Sequence, residues 1–382
     1  MKIPFNRSNN NPKALEYINQ ALLSGNIVGD GSFTKECHNL LKDFTLAKGE
    51  LLLTQSCTVA MEMVAVLLDL SVGDEIIMPS FTFVSTANPF VLRGAVPVFV
   101  DIRPDNCNIN EDLIVDAITS KTKAVVVVHY AGVACNMDKI KKICQQYNLA
   151  LIEDAAQAFG AYYVNSSNQR QHLGTIGDLG AISFHGTKNI VSGEGGVLLV
   201  NNPHYLDRAT IIREKGTNRS NFIKGLVDKY TWVDIGSSYL PSDVTAALLK
   251  ANLEIANEIT QKRLELWQYY YENLKSLVPK IVLPTVNDFA TNNAHIFYLL
   301  LPSEEIRDLF IDKMKEVGIS TVFHYIPLHS SPAGVKFGKT SGNFDNTNRI
   351  AKTLVRLPLY YDLKLEEAEF VVHQAIKIIK EL

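Results

Sequence analysis

The stretch Ala124-Val125-Val126-Val127-Val128 decides the fold of this chain of 382 residues. Four successive β-branched valines, with no polar residue alternating between them, are typical of a strand whose two faces are both buried under helices. We therefore predict that residues 124–129 form a central strand of a parallel sheet.

Apolar runs of strand length alternate with amphipathic runs of helix length on both sides of this stretch, from about residue 50 to residue 200. This order is typical of parallel strands that are connected by helices covering the sheet. It predicts an α/β fold whose large domain has a mainly parallel, seven-stranded sheet between helices. The predicted strands are 51–53, 75–78, 96–102, 124–129, 150–153, 181–184 and 197–200, and the predicted helices lie near 59–70, 84–92, 111–118 and 138–147.

The rest of the chain has a different order. The polar stretch 215–239 is too long for an ordinary connection, and we interpret it as a functional loop rather than a disordered one. Beyond it we predict a long helix over 242–277, strands near 295–301 and 320–325, and helices near 304–317, 347–356 and 365–382. Because a single core rarely serves more than about 250–300 residues, we predict a large domain of residues 1–240. Residues 241–382 then form a long linking helix and a small C-terminal α+β domain.

Composition and charge exclude several classes of partner. The formal net charge is −3 and no block of like charges occurs along the chain, so neither nucleic acid nor a membrane surface is a predicted partner. The N-terminus lacks the apolar stretch of a signal peptide, and no apolar run approaches the roughly 18–20 residues that span a bilayer. We therefore expect a cytoplasmic protein. The five cysteines have no metal-type spacing, which predicts free thiols and no metal site.

The turn Gln55-Ser56-Cys57-Thr58 follows the predicted strand 51–53 and begins a helix. Ligands of a parallel sheet lie outside the carboxyl ends of its strands. The free amides of this turn and the hydroxyls of Ser56 and Thr58 are suited to holding a phosphate group. Taken alone, the same turn is also an ordinary helix cap.

Asp154 directly follows the predicted strand 150–153, and Gln157 comes three residues later. A carboxylate at this place points into the ligand crevice, where it can keep a pyridine nitrogen protonated and let the ring accept electrons. Gln157 is suited to donate a hydrogen bond to the phenolic oxygen of such a ring. On its own, an aspartate at a strand end is more often a helix cap or a metal ligand.

Lys188 lies between the predicted strand 181–184 and the glycine-rich turn Gly193-Glu194-Gly195-Gly196. A lysine at such a place can reach into a buried site. Enzymes that use pyridoxal 5′-phosphate (PLP) need one lysine, whose amine forms a Schiff base with the cofactor and later shuttles a proton. The alternative for any single lysine is a solvated surface residue.

Phe83 ends the stretch Pro79-Ser80-Phe81-Thr82-Phe83, where an aromatic ring can stack on a pyridine face or pack in the core. A phosphate turn, an aromatic residue, an aspartate and a lysine, each at a strand end of one sheet, are improbable as a chance combination. Together they predict a PLP site in which Lys188 and Asp154 are catalytic. The predicted cofactor contacts in this sheet are Ser56, Cys57, Thr58, Phe83, Asp154, Gln157, Ser183 and Lys188.

The motifs 55–58, 79–83, Glu153-Asp154-Ala155-Ala156-Gln157 and Ser183-Phe184-His185…Lys188 resemble those of the DegT-type sugar aminotransferases, a family of PLP enzymes of fold type I. The resemblance covers essentially the whole chain. It implies L-glutamate as amino donor, a 4-keto-6-deoxy sugar nucleotide as acceptor, and a pyridoxamine 5′-phosphate (PMP) form between two half-reactions. It also implies a homodimer whose two active sites draw residues from both subunits, with the loop 215–239 crossing into the neighbour.

Two positions relate this chain to branches of that family. Many members have an asparagine that reaches the cofactor phosphate from the partner subunit, and this chain has Ser238 there, whose hydroxyl can replace the amide donor. Members with a histidine in place of the lysine act as sugar dehydratases. Lys188 argues against that branch.

Basic and aromatic residues outside the cofactor motifs are candidates for substrate binding. The candidates for a diphosphate are Arg213, Arg219, Lys224 and Lys229, in or beside the loop 215–239. A solvated basic loop explains each of them equally well. His324, Tyr325 and His329 are candidates to orient the hexose or the donor carboxylate, with a packed core histidine as the alternative for at least one.

Three alternative functions stay open from the sequence. The first is a transaminase of the same family that acts on a 3-keto or a UDP-linked sugar. The second is a non-catalytic regulator that binds PLP. The third, a cysteine-based lyase or desulfurase, needs a mobile thiol, whereas Cys57 lies in the turn that is predicted to hold the phosphate.

Overall fold

The computed structural model describes residues 2–9 and 11–382. Its strands are β1 (Glu50–Thr54), β2 (Glu75–Pro79), β3 (Val96–Val100), β4 (Thr122–Val128), β5 (Ala150–Asp154), β6 (Tyr162–Val164), β7 (Arg170–His172), β8 (Leu179–Ser183), β9 (Gly196–Val200), β10 (Phe297–Leu300), β11 (Lys339–Thr340) and β12 (Leu354–Leu357). Its α-helices are α1 (Lys13–Leu23), α2 (Ser32–Thr45), α3 (Cys57–Leu67), α4 (Asn88–Leu92), α5 (Ile114–Ala117), α6 (Met137–Tyr147), α7 (Leu206–Arg213), α8 (Arg219–Ile223), α9 (Asp243–Glu254), α10 (Ala256–Leu274), α11 (Glu304–Glu316), α12 (Pro332–Phe337), α13 (Asp345–Thr353) and α14 (Leu365–Glu381).

One eight-stranded sheet organises the chain, in the order β1-β9-β8-β5-β4-β2-β3-β11. Only β9 runs antiparallel to its neighbours; every other pairing in this sheet is parallel. The seven predicted strands are all present, β4 lies in the interior of the sheet, and the predicted α/β fold is confirmed. The eighth strand, β11, has only two residues and joins the edge of the sheet from a distant part of the chain, so no periodicity in the sequence indicated it.

Both faces of the sheet are covered, as the run of valines in β4 predicts. Val125 and Val127 pack on one face with residues of α2, α6 and α9, whereas Val126 packs on the opposite face with residues of α3, α4 and α7. All three valine side chains are fully buried. The alternation of faces along a strand therefore distributes one uninterrupted apolar run between two cores.

A third core lies in the C-terminal part of the chain. It joins α10, α11 and α14 with β10 and β12, around Tyr270, Phe297 and Phe310, and it also takes in Ile3 from the N-terminus. The first residues of α10 still belong to the core of the large sheet, and the helix enters this third core from Leu266. The predicted division between residues 240 and 241 stays a prediction.

Several predicted elements differ from the structure. The helix predicted over 242–277 is interrupted at Ile255, whose backbone is not helical, and forms α9 and α10. Residues 320–325 form no regular strand, because Val322 makes only one bridge, to Arg356. The helix predicted over 347–356 ends at Thr353. The next four residues form β12, which pairs with β10, so tertiary pairing overrides a weak helical pattern there.

The polar stretch 215–239 is a folded excursion. It contains α8, and bridges join Glu214 to Ser238 and Thr217 to Trp232, which close it as a hairpin-like unit. None of the helices in residues 2–9 and 11–382 has both the length and the apolar composition that crossing a bilayer requires.

The stability of the fold should depend most on the buried side chains of the central strands. Ile152 in β5 is fully buried, so Ile152→Ala removes apolar contacts and leaves a cavity. We expect the free energy of unfolding, measured by urea denaturation, to fall by about 2–5 kcal/mol. Leu15 in α1 is 75% exposed, and Leu15→Ala is the matched control, with an expected change below about 0.5 kcal/mol. Equal losses in the two variants would contradict the position of β5 in the core.

Candidate active site

A cavity of about 520 Å³ opens at the carboxyl ends of β1, β2, β5 and β8 and is closed on its other side by the C-terminal part of the chain. All four predicted cofactor motifs reach it. Its lining includes Ser56, Cys57, Thr58, Phe83, Asp154, Gln157, Ser183 and Lys188 from the large sheet, His295, His324, Tyr325 and Arg356 from the C-terminal part, and Phe5 and Asn6 from the N-terminus. The strand ends therefore bring eight of the predicted cofactor contacts together at one cavity.

The turn at Ser56 begins the eleven-residue helix α3. The Ser56 hydroxyl caps this helix by accepting a hydrogen bond from the Val59 amide at 3.2 Å, and the Thr58 hydroxyl donates to Ser85 at 2.9 Å. The backbone of Gly196 presses on the turn so closely that a Cβ there would lie 2.4 Å from the Cys57 nitrogen. A helix N-terminus that faces a cavity in this way favours a phosphate group.

The Asp154 carboxylate is buried at the end of β5. Its Oδ2 accepts a hydrogen bond from the Thr86 hydroxyl at 2.7 Å and its Oδ1 accepts one from the Ala156 amide at 3.1 Å. Thr82 lies 2.7 Å from the Thr86 hydroxyl and must donate to it, because Thr86 gives its own hydrogen to Asp154. No cation lies within 4 Å of this carboxylate in the described residues, so it is free to accept from a cationic N–H of a ligand.

Gln157 is held by the backbone of a neighbouring turn. Its Oε1 accepts a hydrogen bond from the Ala131 amide at 2.7 Å, which fixes the amide group with Nε2 on the opposite side. Nε2 donates to the Tyr325 hydroxyl at 2.7 Å. Since an amide nitrogen carries two hydrogens, one of them remains for a ligand in the cavity.

The amine of Lys188 is desolvated and has no carboxylate within 4 Å among the described residues. Its turn is closed by backbone hydrogen bonds from Lys188 to His185 and from Gly186 to Gly193, both 2.8 Å. Burial lowers the pKa of Lys188 below its ordinary value, and the Arg356 charge acts in the same direction, whereas Cys57 and Asp154 oppose the shift. A lowered pKa leaves a larger fraction of the amine neutral and nucleophilic at a given pH.

Cys57, Ser183 and Phe83 complete the large-sheet side of the cavity. Burial raises the pKa of the Cys57 thiol well above its ordinary value, so the thiol stays protonated, which disfavours the cysteine-based lyase. The Ser183 hydroxyl is buried and accepts a hydrogen bond from the His185 amide at 3.3 Å. Phe83 lines the cavity and is 56% exposed, so its ring is accessible for stacking on a ligand.

Two of the three C-terminal substrate candidates line the cavity. The rings of His324 and Tyr325 stack at 3.7 Å, and His324 Nδ1 lies 2.7 Å from the Tyr130 hydroxyl. His329 is different, because it does not line the cavity, stacks on Phe344 at 4.0 Å and is hydrogen-bonded to Ser80 at 2.7 Å. His329 therefore fits the alternative interpretation from the sequence, a histidine that packs within the protein instead of contacting a substrate.

Five further predicted contacts lie outside this cavity. The guanidinium of Arg213 is buried, makes a bidentate ion pair with Asp30 at 2.7 and 3.2 Å and donates to the Leu53 carbonyl at 2.8 Å. The structure therefore corrects its predicted role as a diphosphate contact, because its N–H groups already bind protein acceptors. Arg219, Lys224, Lys229 and Ser238 lie in the excursion 215–239 and do not line the cavity, although the Ser238 carbonyl accepts a hydrogen bond from Gln55 at 3.0 Å.

The sequence motifs do not predict several residues of the site. Thr86 lies three residues beyond the motif 79–83, and its position four residues after Thr82 is the only signal for it. Arg356 was hidden because β12 was predicted as helix. His295 precedes β10 without any motif, and Asn6 comes from the N-terminal segment.

Comparison with known proteins agrees with this geometry. Residues 9–376 match the model of the DegT/DnrJ/EryC1/StrS aminotransferase family. An uncharacterised protein of Methanocaldococcus jannaschii is 33% identical over 376 residues, which are 96% of this chain and 95% of that protein. The dTDP-4-dehydro-2,3,6-trideoxy-D-glucose 4-aminotransferase of Saccharopolyspora spinosa is 35% identical over 282 residues, 72% of each chain.

A solved structure is similar over nearly the whole chain. NtdA of Bacillus subtilis, with its cofactor PMP bound, superposes with a TM-score of 0.85 at 26% identity and covers 96% of this chain and 81% of its own. The fold and the cavity thus define a PLP-dependent aminotransferase. The chain belongs to the DegT/DnrJ/EryC1/StrS aminotransferase family, and the predicted family is confirmed.

The desolvation of Lys188 is testable on cofactor-free protein. Because the pKa of this amine is lowered, reductive methylation followed by peptide mass spectrometry across a pH series should label Lys188 in the folded protein with a midpoint at lower pH than in the denatured protein. The denatured chain is the control, since it exposes the same residue to water. A midpoint at higher pH in the folded protein would contradict the desolvated environment.

Proposed function

We propose that this chain catalyses the transamination of dTDP-4-keto-6-deoxy-D-glucose with L-glutamate, giving dTDP-4-amino-4,6-dideoxy-D-galactose and 2-oxoglutarate. The observation that carries the proposal is the joint placement of the Lys188 amine and the Asp154 carboxylate on one cavity, beside the helix N-terminus at Ser56. A transaminase of the same family that acts on a 3-keto or a UDP-linked sugar is the alternative.

The residues of the cavity fit PLP group by group. When bound, PLP supplies a pyridine ring that takes up the electrons released at the carbon bearing the amino group. Asp154 would hold the proton on the pyridine nitrogen, and the turn Ser56-Cys57-Thr58 with Ser183 would bind the phosphate. Gln157 would donate its free hydrogen to the phenolic oxygen, and Phe83 would cover the ring.

Lys188 would bind the cofactor and move protons. In the first half-reaction its amine would hold the cofactor until the amino group of glutamate replaces it, and in the second it would take the cofactor back as the amino sugar leaves. In both half-reactions the free amine would move a proton to or from the reacting carbon. In the first half-reaction that carbon is Cα of glutamate, and in the second it is C4 of the sugar. The lowered pKa of Lys188 suits these tasks, because it increases the fraction of neutral amine, which is the form that acts as nucleophile and base.

Two findings support the choice of substrate. One member of the family that the sequence resembles is dTDP-4-amino-4,6-dideoxygalactose transaminase. The resemblance lies in the segments 81–94, 129–135, 213–220, 228–232 and 323–329, several of which are outside the cofactor motifs. The relative from Saccharopolyspora spinosa is itself named for a reaction at C4 of a dTDP sugar. Such a product would serve a surface polysaccharide, of the enterobacterial common antigen or O-antigen type, in the cytoplasm.

A homodimer with shared active sites is part of the proposal. The excursion 215–239 exposes large apolar side chains, namely Phe222, Ile223, Leu226, Tyr230, Trp232, Val233 and Ile235. Exposed apolar groups in this density favour a protein interface. If a second subunit covers them, Ser238, Arg219, Lys224 and Lys229 come near the neighbour's cavity, where they would bind the cofactor phosphate and the diphosphate. We further propose a large domain of residues 1–240 and a second part of residues 241–382.

The cofactor site is tested by absorbance. With PLP added, the protein should absorb visible light through the imine at Lys188, and borohydride should fix the cofactor on the peptide that contains this residue. Lys188→Ala should lose both signals and transamination, whereas Lys229→Ala, on the excursion, should keep the cofactor. Cofactor bound without exchange of the α-hydrogen of glutamate in D₂O would instead favour the non-catalytic regulator.

The substrate is tested by product analysis. Protein incubated with L-glutamate and dTDP-4-keto-6-deoxy-D-glucose should give an amino sugar whose NMR coupling constants show the amine at C4 in the axial, galacto configuration. A parallel incubation with a UDP-linked keto sugar is the control for the nucleotide. An amine at C3, or an equatorial amine at C4, would contradict the assigned product but not the family.

A further inference from the structure

The short segment Asn293-Ala294-His295, directly before β10, carries buried polar side chains that the proposed function does not use. Asn293 is fully buried, and the ring of His295 lines the same cavity as Lys188. Neither residue belongs to a motif that was found in the sequence. Their hydrogen bonds determine which nitrogen of His295 carries a hydrogen.

Asn293 has a fixed orientation. Its Nδ2 donates to the carbonyl oxygens of Gln157 and Phe159, at 2.8 and 2.9 Å, and its Oδ1 accepts from the His295 amide at 3.0 Å. Carbonyl oxygens only accept, so the two ends of this amide cannot be exchanged. Asn293 thus ties the segment to the turn that carries Asp154.

Asn189, the residue after Lys188, is fixed in the same way. Its Nδ2 donates to the backbone oxygen of Asn293 at 2.8 Å, and its Oδ1 therefore faces Nδ1 of His295 at 3.0 Å. An amide oxygen has no hydrogen to give, so Nδ1 of His295 must carry the hydrogen. The network assigns the tautomer of this ring.

The opposite nitrogen, Nε2, consequently has a free lone pair. Burial lowers the pKa of His295 well below its ordinary value, and the positive charges of Lys188 and Arg263 act in the same direction, so the ring stays neutral. Among the described residues no group donates a hydrogen bond to Nε2. The lone pair of Nε2 is therefore available to accept a hydrogen bond from a ligand in the cavity.

A keto sugar brings the matching donor. Lys188 must reach the reacting carbon, and His295 lines the same cavity close enough to Lys188 for the charge of the lysine to lower the pKa of the ring. A hydroxyl group on a carbon next to the reacting one would therefore come near His295. We propose that Nε2 of His295 accepts a hydrogen bond from a hydroxyl group next to the reacting carbonyl, and thereby selects hydroxylated keto sugars over their deoxy counterparts. This inference rests on the proposed function and names a residue that sets its specificity.

The test uses His295→Asn. The asparagine amide can still donate to Asn189 from near the position of Nδ1, but no group remains at the position of Nε2. The two half-reactions are followed separately by stopped-flow absorbance. With dTDP-4-keto-6-deoxy-D-glucose, kcat/KM of the sugar half-reaction should fall about 10- to 100-fold, because the sugar hydroxyl loses its acceptor. The glutamate half-reaction, the visible spectrum of the PLP-loaded protein and its pH titration should keep their wild-type values.

The second sugar is dTDP-4-dehydro-2,3,6-trideoxy-D-glucose, which has no hydroxyl at C2 or C3. Wild-type protein and His295→Asn should react with it at equal rates, because the interaction removed by the substitution is already missing from this sugar. The matched variant is His295→Gln, whose longer side chain places an amide near the position of Nε2 but has no hydrogen bond to Asn189. Because its amide oxygen can accept from the sugar hydroxyl, His295→Gln should prefer the hydroxylated sugar more strongly than His295→Asn does.

The outcomes separate the two proposals. An equal loss with both sugars, or a shifted spectrum together with a slower glutamate half-reaction, would show that His295 serves Lys188 instead and would overturn the inference. A wild-type protein that reacts with glutamate but with neither sugar would contradict the proposed substrate, and the assignment of His295 would fall with it.

Discussion

The geometry of the site depends on one buried carboxylate, that of Glu153, the residue before Asp154. It accepts hydrogen bonds from the amides of Gly174, Ile176 and Gly177 at 2.6–2.8 Å and lies 2.9 Å from Nε2 of His129. Burial alone would raise the pKa of Glu153, but the hydrogen bonds from His129 and from the Gly174 and Gly177 amides hold it below its ordinary value. A charge that is compensated in this way can remain in the interior of a protein.

This interaction orients the two turns that follow β4 and β5. Nδ1 of His129 accepts a hydrogen bond from the Cys135 amide at 3.2 Å, so Nε2 carries the hydrogen that Glu153 receives, and the turn after His129 is held in place. Because successive side chains of a strand point to opposite faces, anchoring Glu153 on one side directs Asp154 toward the other, at the cavity. The held turn also places the Ala131 amide against Gln157 and the Tyr130 hydroxyl against His324.

The sequence predicted the part of the site that comes from one sheet. Asp154 and Lys188 were found because each directly follows a strand with a clear apolar pattern, and parallel strands bring their ends to one edge. The sequence does not predict His295 and Arg356, because they come from the C-terminal part of the chain, where short strands pair over long sequence separations and local patterns are weak. Arg213 was assigned to the substrate on charge alone. Only the three-dimensional structure shows that Asp30 and the Leu53 carbonyl already occupy its guanidinium.

The cavity holds an acidic and a basic group that do not pair with each other directly. Asp154 has hydroxyl and amide donors but no cation within 4 Å among the described residues, and the desolvated amine of Lys188 has no carboxylate within that distance. Burying an ionisable group without an ionic partner lowers the stability of the folded chain. A ligand with a protonated ring nitrogen and a carbonyl carbon would satisfy both groups at once, so part of the free energy lost by burying them would be recovered when the cofactor binds. The arrangement that makes Lys188 reactive is thus the one that makes the site bind its cofactor.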